Sequence, residues 1–176
     1  MKPEIFVGVD PGLTGAVAWI WVDEKDASLV LIEDMPTASA KVNGSTKSHL
    51  ILPELARLLS EGPGTALGVP LTITVEQVSA LPGQGVTSMF RFGQALGAVE
   101  GVAAGLSIPL SYIRPVEWQK LVSARKDPDA GRLRAAQLFP QASRYFKRKM
   151  DHNRADAALI AYAAACRARG RTMPTA

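Results

Sequence analysis

Cysteine is nearly absent: Cys166 is the only one in 176 residues. One thiol makes no intramolecular disulfide and no zinc knuckle, and a chain kept in a reducing, cytoplasmic compartment is the expectation. Long apolar runs are also missing. No stretch of eighteen apolar residues occurs, so no membrane span is expected. The N-terminus carries a strand-like run at residues 5–10, where a secretory signal would place a longer apolar stretch and a small-residue cleavage site. There are no internal repeats and no low-complexity tract. The remainder is 47% apolar and 20% charged. A chain of this length can bury about 70% of the surface it exposes when unfolded, without a covalent staple. One domain over 1–176 is expected, with 170–176 as a tail.

The net charge of +4 conceals an asymmetry. Residues 1–113 hold six Lys/Arg against eleven Asp/Glu, a net of −5. The last 63 residues hold fourteen against five, a net of +9. Such a separation suggests a polyanion-binding face in the C-terminal third, nucleic acid being the obvious polyanion. The bland alternative is a solvated basic helix surface.

Along the chain, residues 5–10 form an apolar run closed by Asp10-Pro11-Gly12, which reads as a buried strand and a turn. Residues 15–22 and 28–34 resume as strands, and the short links predict an antiparallel meander. Residues 37–48 are polar and contain Asn43-Gly44-Ser45-Thr46, so a loop is expected. Leu52, Leu55 and Leu59 have helical spacing, predicting a helix over 50–60 that Gly62-Pro63-Gly64 stops. A β-rich run at 71–76 ends in Glu76, and another loop is expected over 78–86. A long helix is predicted over 87–106. Its glycines fall at 93, 97, 101 and 105. Each glycine costs a helix about 1 kcal/mol, so the stripe asks for a close backbone, either the chain's own sheet or a partner helix. A strand at 108–113, helices at 115–121 and 129–139, a basic segment at 145–150 and an Ala-rich helix at 153–169 complete the pattern. The order predicts one α/β domain around a mixed sheet.

Three carboxylates sit where a fold ordinarily avoids them. Asp10 and Glu76 end buried-looking strands, and Asp156 lies in the first turns of a small, apolar helix. An unpaired buried carboxylate is expensive. Three converging carboxylates repel, and hard divalent ions with oxygen ligands remove that repulsion. Two such ions about 4 Å apart activate water and stabilise the leaving oxygen of a phosphodiester. Each residue also has an ordinary reading: Asp10 capping its turn, Glu76 pairing with an arginine, Asp156 complementing a helix start.

Val7-Gly8-Val9-Asp10-Pro11-Gly12-Leu13-Thr14-Gly15, Thr74-Val75-Glu76 and Arg154-Ala155-Asp156-Ala157-Ala158-Leu159-Ile160-Ala161 together resemble the acidic strands and last catalytic helix of RuvC-type Holliday-junction resolvases. Met89-Phe90-Arg91-Phe92-Gly93 and Pro115-Val116-Glu117-Trp118-Gln119-Lys120 resemble the compact phage and prophage branch. The resemblance covers nearly the whole chain in order. It implies a ribonuclease H-like fold, with a mixed five-stranded sheet flanked by helices, and a homodimer. It also implies two Mg2+ ions per site, with Mn2+ able to substitute, and a bacterial or phage-infected cell as the setting. The implied reaction is two symmetric nicks across a four-way DNA junction, leaving 5′-phosphate and 3′-hydroxyl ends. Asp10, Glu76 and Asp156 carry over as metal ligands. The family commonly has Asp, sometimes His, three residues before the last Asp, and here that residue is Asn153. His152 shares a helix face with Asp156 if the helix starts early enough; Asp151 would instead cap that helix and reach the metal from the loop. His152 is favoured, as ligand or proton acceptor, over Asp151.

In a junction enzyme, Phe90 or Met89 would stack at the opened crossover while Arg91 meets phosphate. Residues 90 and 92 cannot share a helix face, so at most one phenylalanine is expected to be exposed. Lys120, Arg125, Lys126, Lys147, Arg148, Lys149 and Arg154 are the further phosphate-contact candidates. The competing functions are a broader branched-DNA nuclease acting on flaps and forks, an RNA–DNA hybrid ribonuclease, and a catalytically silent junction-binding protein.

Overall fold

The computed structural model describes residues 2–42, 44–65, 67–77, 83, 85–124 and 127–170. Three strands open the chain: β1 (Glu4–Asp10), β2 (Ala16–Val22) and β3 (Ala27–Asp34). Next come β4 (Thr37–Val42), β5 (Ser45–Leu50), α1 (Leu52–Glu61), β6 (Leu71–Glu76) and α2 (Val86–Gly105). After β7 (Leu110–Ile113) lie α3 (Pro115–Leu121) and α4 (Pro128–Leu138). Two 3-10 segments (Pro140–Phe146 and Lys149–Asp151) lead into α5 (His152–Arg169). The main sheet has five strands in the order β3-β2-β1-β6-β7. The β1–β2 and β2–β3 pairs are antiparallel, whereas β1–β6 and β6–β7 are parallel. This is the mixed five-stranded α/β sheet expected from the sequence.

Strand parity divides the core in two. Ile5, Val7 and Val9 of β1, Val17 and Trp19 of β2 and Ile73 and Val75 of β6 face one side, packing with Leu55 and Leu59 of α1 and Val99 and Ala103 of α2. Phe6, Ala18 and Ile20 face the other side, packing with Trp118 of α3, Ala135 of α4 and the alanines of α5. Alternation along a strand puts Gly8 and Asp10 on this second face. A Cβ at Gly8 would lie 2.1 Å from the Ala157 carbonyl oxygen and 2.4 Å from the Ala161 nitrogen. The absent side chain at Gly8 therefore lets α5 lie directly on the middle of the sheet. The β1–β6 register runs Gly8↔Thr74 and Val9↔Val75. One step further, Asp10 and Glu76 end neighbouring parallel strands at the same level, on the face that α5 covers.

One expectation needs correction, and one of two alternatives is removed. Residues 37–48 are not a loop: β4 and β5 form a separate antiparallel hairpin, paired from Thr37↔Leu50 to Val42↔Ser45. A two-residue Asn-Gly link is the strongest short hairpin signal, and Gly44 takes the left-handed φ of +77° that such a link requires. The Ser and Thr content masked the alternation. In a hairpin those residues pair across strands, as Ser39 and Ser48 do, with hydroxyl oxygens 2.9 Å apart. The glycine stripe of α2 does not lie on the chain's own sheet. A Cβ at Gly93, Gly97, Gly101 or Gly105 would meet nothing within 4 Å. The loop expected over 78–86 falls largely outside the described residues, as do Arg125, Lys126 and the tail from 171 onward.

Gly8 and Gly93 should therefore respond oppositely to alanine. Gly8→Ala forces a methyl group into the α5 backbone and should destabilise the fold by about 3 kcal/mol. Gly93→Ala should stabilise it by up to about 1 kcal/mol through helix propensity alone. Urea denaturation of both variants measures the contrast.

Candidate active site

Asp10 and Glu76 come from adjacent strand ends, and Asp156 from the first turns of the helix above them. Asp156 and Ala157 are consecutive in α5, and Ala157 is the residue that contacts Gly8, so the close approach at Gly8 brings Asp156 over the strand ends. Asp10 accepts a hydrogen bond from the Gly12 backbone N–H at 3.3 Å. Glu76 Oε1 accepts one from Trp118 Nε1 at 2.8 Å. Trp118 is almost wholly buried in α3, so its indole fixes the position of one Glu76 oxygen. Gly131 of α4 passes beside the third carboxylate, where a Cβ would lie 3.4 Å from Asp156 Oδ1.

Electrostatics record the convergence. Burial raises Asp10 to about 6, against the pull of the Gly12 N–H and of His152, with Glu76 adding to the rise. Burial raises Asp156 to about 7, and the negative charges of Asp10 and Glu76 add to it. Burial also raises Glu76, opposed by the Trp118 hydrogen bond. None of the three forms a salt bridge with Lys or Arg among the described residues. Nor do three His, Cys, Asp or Glu side chains there close into a complete ligand set. The carboxylates are near enough to raise one another's pKa without forming a finished cage, as mutually repelling anions do. A donor set made only of carboxylate oxygens, with charge that burial makes costly, suits hard divalent cations.

The first turn of α5 separates the two candidates for a fourth group. The helix begins at His152, so His152 and Asp156 lie on one face. His152 is close enough to Asp10 to lower its pKa. Its Nδ1 lies 3.1 Å from the Lys149 carbonyl oxygen. In neutral His152 an Nδ1–H donating there leaves Nε2 as a base. Asp151 points elsewhere. Its carboxylate accepts from the Arg148 backbone N–H at 2.7 Å and from Arg148 Nε at 3.0 Å. Burial raises its pKa, but Arg148 outweighs burial and holds it below the usual range. Asp151 thus braces the turn before α5 and makes no cap hydrogen bond to the helix.

Two further braces were not foreseen from the sequence. Asn153 Nδ2 donates to the Thr14 carbonyl at 2.5 Å, tying the start of α5 to the loop that follows Asp10. Arg154 was expected on phosphate, but its Nε and Nη2 each lie 2.6 Å from an Asp34 oxygen. That two-pronged pair secures α5 to the end of β3 and engages the guanidinium. Asn153 and Arg154 stand in the mostly polar run from His152 to Asp156 that opens an otherwise alanine-rich helix, and nothing in that run marks them as braces.

Lys120, Lys147, Arg148 and Lys149 are exposed, with Arg148 shared with Asp151. Phe90 is 66% exposed and Phe92 only partly so, which agrees with at most one being free. Arg91 is half-buried and lines a cleft between α2 and the β4–β5 hairpin.

No family model matches the sequence, and no curated protein matches it significantly. The fold is matched by solved structures. Thermus thermophilus RuvC in complex with a Holliday-junction substrate superposes with a TM-score of 0.62 at 16% identity, covering 98% of this chain and 99% of that one. A second Thermus thermophilus RuvC structure gives 0.61 at 18% identity, with the same coverage. The chain thus has the ribonuclease H-like fold of RuvC.

The buried acids lead to a prediction about stability. Below about pH 4 the folded and unfolded chains both hold the Asp156 proton, so the group contributes nothing. Between about pH 4 and 7 the unfolded chain releases the proton and the folded chain retains it, so stability falls as pH rises. The loss is complete above about pH 7. Without divalent metal at pH 8, Asp156→Asn should be more stable than the parent by on the order of 2 kcal/mol. The gain should shrink towards pH 4, and thermal melts in chelator across this range read it directly.

Proposed function

We propose that this chain is a metal-dependent, structure-selective DNA endonuclease that resolves four-way junctions by paired symmetric nicks, in the manner of the phage and prophage branch of RuvC-type enzymes. The observation that carries the reading is the meeting of Asp10, Glu76 and Asp156 where α5 crosses two parallel strand ends. The setting supports it: the same fold occurs in a RuvC structure that holds a Holliday junction.

Asp10, Glu76 and Asp156 would hold Mg2+, or Mn2+ in its place, with two ions per site. When bound, such ions lower the pKa of an attacking water and neutralise charge on the leaving oxygen. The protein's own part is positional and protonic. Trp118 holds Glu76, the Gly12 N–H holds Asp10, and Asn153 holds the Asp10 loop against α5. His152, beside Asp10, takes the proton from the attacking water. Departure of the 3′ oxygen leaves 5′-phosphate and 3′-hydroxyl ends. Lys120, Lys147 and Lys149 meet DNA phosphates, as do Arg125 and Lys126. Arg91 does so beside an exposed Phe90 that stacks at the crossover.

Symmetric cutting needs two active sites related by a two-fold axis. The outer face of α2 fits that role. Val86 is 84% exposed, and a Cβ at Gly97 or Gly101 would meet nothing within 4 Å, so this face leaves room for a second helix to approach closely.

Matched junction, flap, duplex and RNA–DNA hybrid substrates with Mg2+ and Mn2+ test this reading. Junction cleavage should exceed the others, and Asp10→Asn should abolish it while junction binding persists. Equal cutting of flaps would shift the reading to a general branched-DNA nuclease. Preferred cutting of hybrids would shift it to a ribonuclease, and binding without cutting to a silent junction binder. His152→Ala should lower the cleavage rate by roughly 10²- to 10⁴-fold, with Asp151→Asn affecting stability far more than rate. Sedimentation should give a dimer mass for the parent and a monomer mass for Gly97→Arg.

A further inference from the structure

The cleft beside α2 has a volume of about 510 Å³, within the size range of pockets that hold small organic molecules. One wall is the β4–β5 hairpin, through Ala40, Lys47 and His49, and the other is α2, through Arg91, Gln94 and Ala98. Leu13, Leu50 and Leu52 add apolar surface. Leu52 is 56% exposed, which is apolar surface open to an occupant. The charged side chains that line the cleft are both cationic, Lys47 and Arg91. Neither forms an ion pair among the described residues.

Position adds to chemistry. Leu13 follows Asp10 by three residues, in the turn whose Gly12 N–H holds the Asp10 carboxylate. The cleft therefore reaches the turn that leaves the Asp10 strand end, with α2 on the sheet face opposite α5. A strand whose scissile phosphate lay at Asp10 would carry its neighbouring nucleotide across Leu13. A nucleotide has a flat base with apolar faces and a hydrogen-bonding edge, flanked by anionic phosphates. The cleft offers the complement: apolar walls, two cations and the Gln94 amide. A base held in a duplex cannot enter a slot between a hairpin and a helix, whereas an unpaired base at a branch point can.

The geometry points to this cleft as the receptor for one unpaired DNA nucleotide adjacent to the cut, with the β4–β5 hairpin as the wall that excludes a paired base and so selects for branched substrate. This inference rests on the nuclease reading and names a subsite for it. The base lies between the hairpin and α2, Gln94 meets its edge, and Lys47 and Arg91 meet the two flanking phosphates.

The test uses full-length protein carrying Asp10→Asn, so that binding is read without cleavage. Four-way junctions are prepared with a single abasic site at each of the nucleotides flanking the cut. At one of these positions, loss of the base should weaken binding about tenfold. Ala40→Trp, at an exposed position on the cleft wall, should weaken binding of the intact junction by a similar factor. It should also erase the abasic penalty, because the two changes remove the same contact. Lys47→Ala, a solvent-exposed change that leaves the core alone, should weaken binding severalfold and reduce the salt slope by about one ion. An equal abasic penalty in parent and Ala40→Trp, or no penalty at any position, overturns the inference while leaving junction binding intact. A loss of dimer mass in Ala40→Trp with an unchanged abasic response also overturns it, making the cleft a contact between copies of the chain. Absence of any junction binding by the parent removes the nuclease reading and the subsite together.

Discussion

Gly8 has no side chain because the backbone of α5 occupies that space, with the Ala157 carbonyl and Ala161 nitrogen both inside the reach of a Cβ. This approach sets the arrangement of the catalytic candidates. A helix normally stands off a sheet by the thickness of its side chains; here alanines on one side and glycine on the other bring it down onto the central strand. Asp156 precedes Ala157 directly, so the close contact at Ala157 also positions the neighbouring carboxylate. Parity in β1 puts Asp10 on the same face as Gly8, and the β1–β6 register puts Glu76 beside Asp10. One packing constraint and two alternations thus account for a site drawn from residues 66 and 80 positions apart.

That arrangement works against itself electrostatically. Burial first, and neighbouring negative charge after it, raise Asp10 and Asp156 well above the ordinary carboxylate range, so ionising them costs the fold stability. The start of α5 carries the countermeasures. Asn153 ties it to the Asp10 loop, Arg154 ties it to β3, and the Arg148–Asp151 pair fixes the turn before it. Three local braces around a repulsive centre are what a site needs if it must stay open for a cation instead of collapsing around a lysine or arginine. Strain of this kind is characteristic of functional sites.

Much of this was legible in the sequence. The apolar runs of β1, β2, β3, β6 and β7 and the periodicity of α1 and α2 located the elements, because burial imposes those patterns directly. Asp10, Glu76 and Asp156 stood out because each interrupts such a pattern. What escaped was set by side-chain direction. Asp151 and His152 are neighbours with similar claims on paper, and only the turn of the chain sends one towards Arg148 and the other towards Asp10. Trp118 reads as a core residue, which it is, yet its indole N–H also holds Glu76. The hairpin was missed for a different reason. It joins polar strands through Gly44 in the left-handed conformation and the cross-strand Ser39–Ser48 pair, so apolar alternation does not reveal it. The α2 glycines were noticed correctly as a stripe, but spacing alone does not say which way a helix is rotated.

The basic third of the chain also divides in a way that charge counting conceals. Its arginines largely bind the protein itself. Arg154 clamps Asp34, Arg148 clamps Asp151, Arg132 reaches Asp129 and the Phe146 carbonyl, Arg134 reaches the Val122 carbonyl, and Arg169 reaches Glu4. The lysines at 120, 147 and 149 are exposed and form no ion pair among the described residues. The planar guanidinium suits fixed, two-pronged partners, and the flexible ammonium suits a mobile polyanion. The net +9 already cancels Arg132 against Asp129 and Arg148 against Asp151, and the pairs of Arg154 with Asp34 and Arg169 with Glu4 engage two further cations. Affinity for a polyanion depends on the cations that can release counterions to it, and among the described residues Lys120, Lys147, Lys149, Lys47 and Arg91 are cations that form no ion pair.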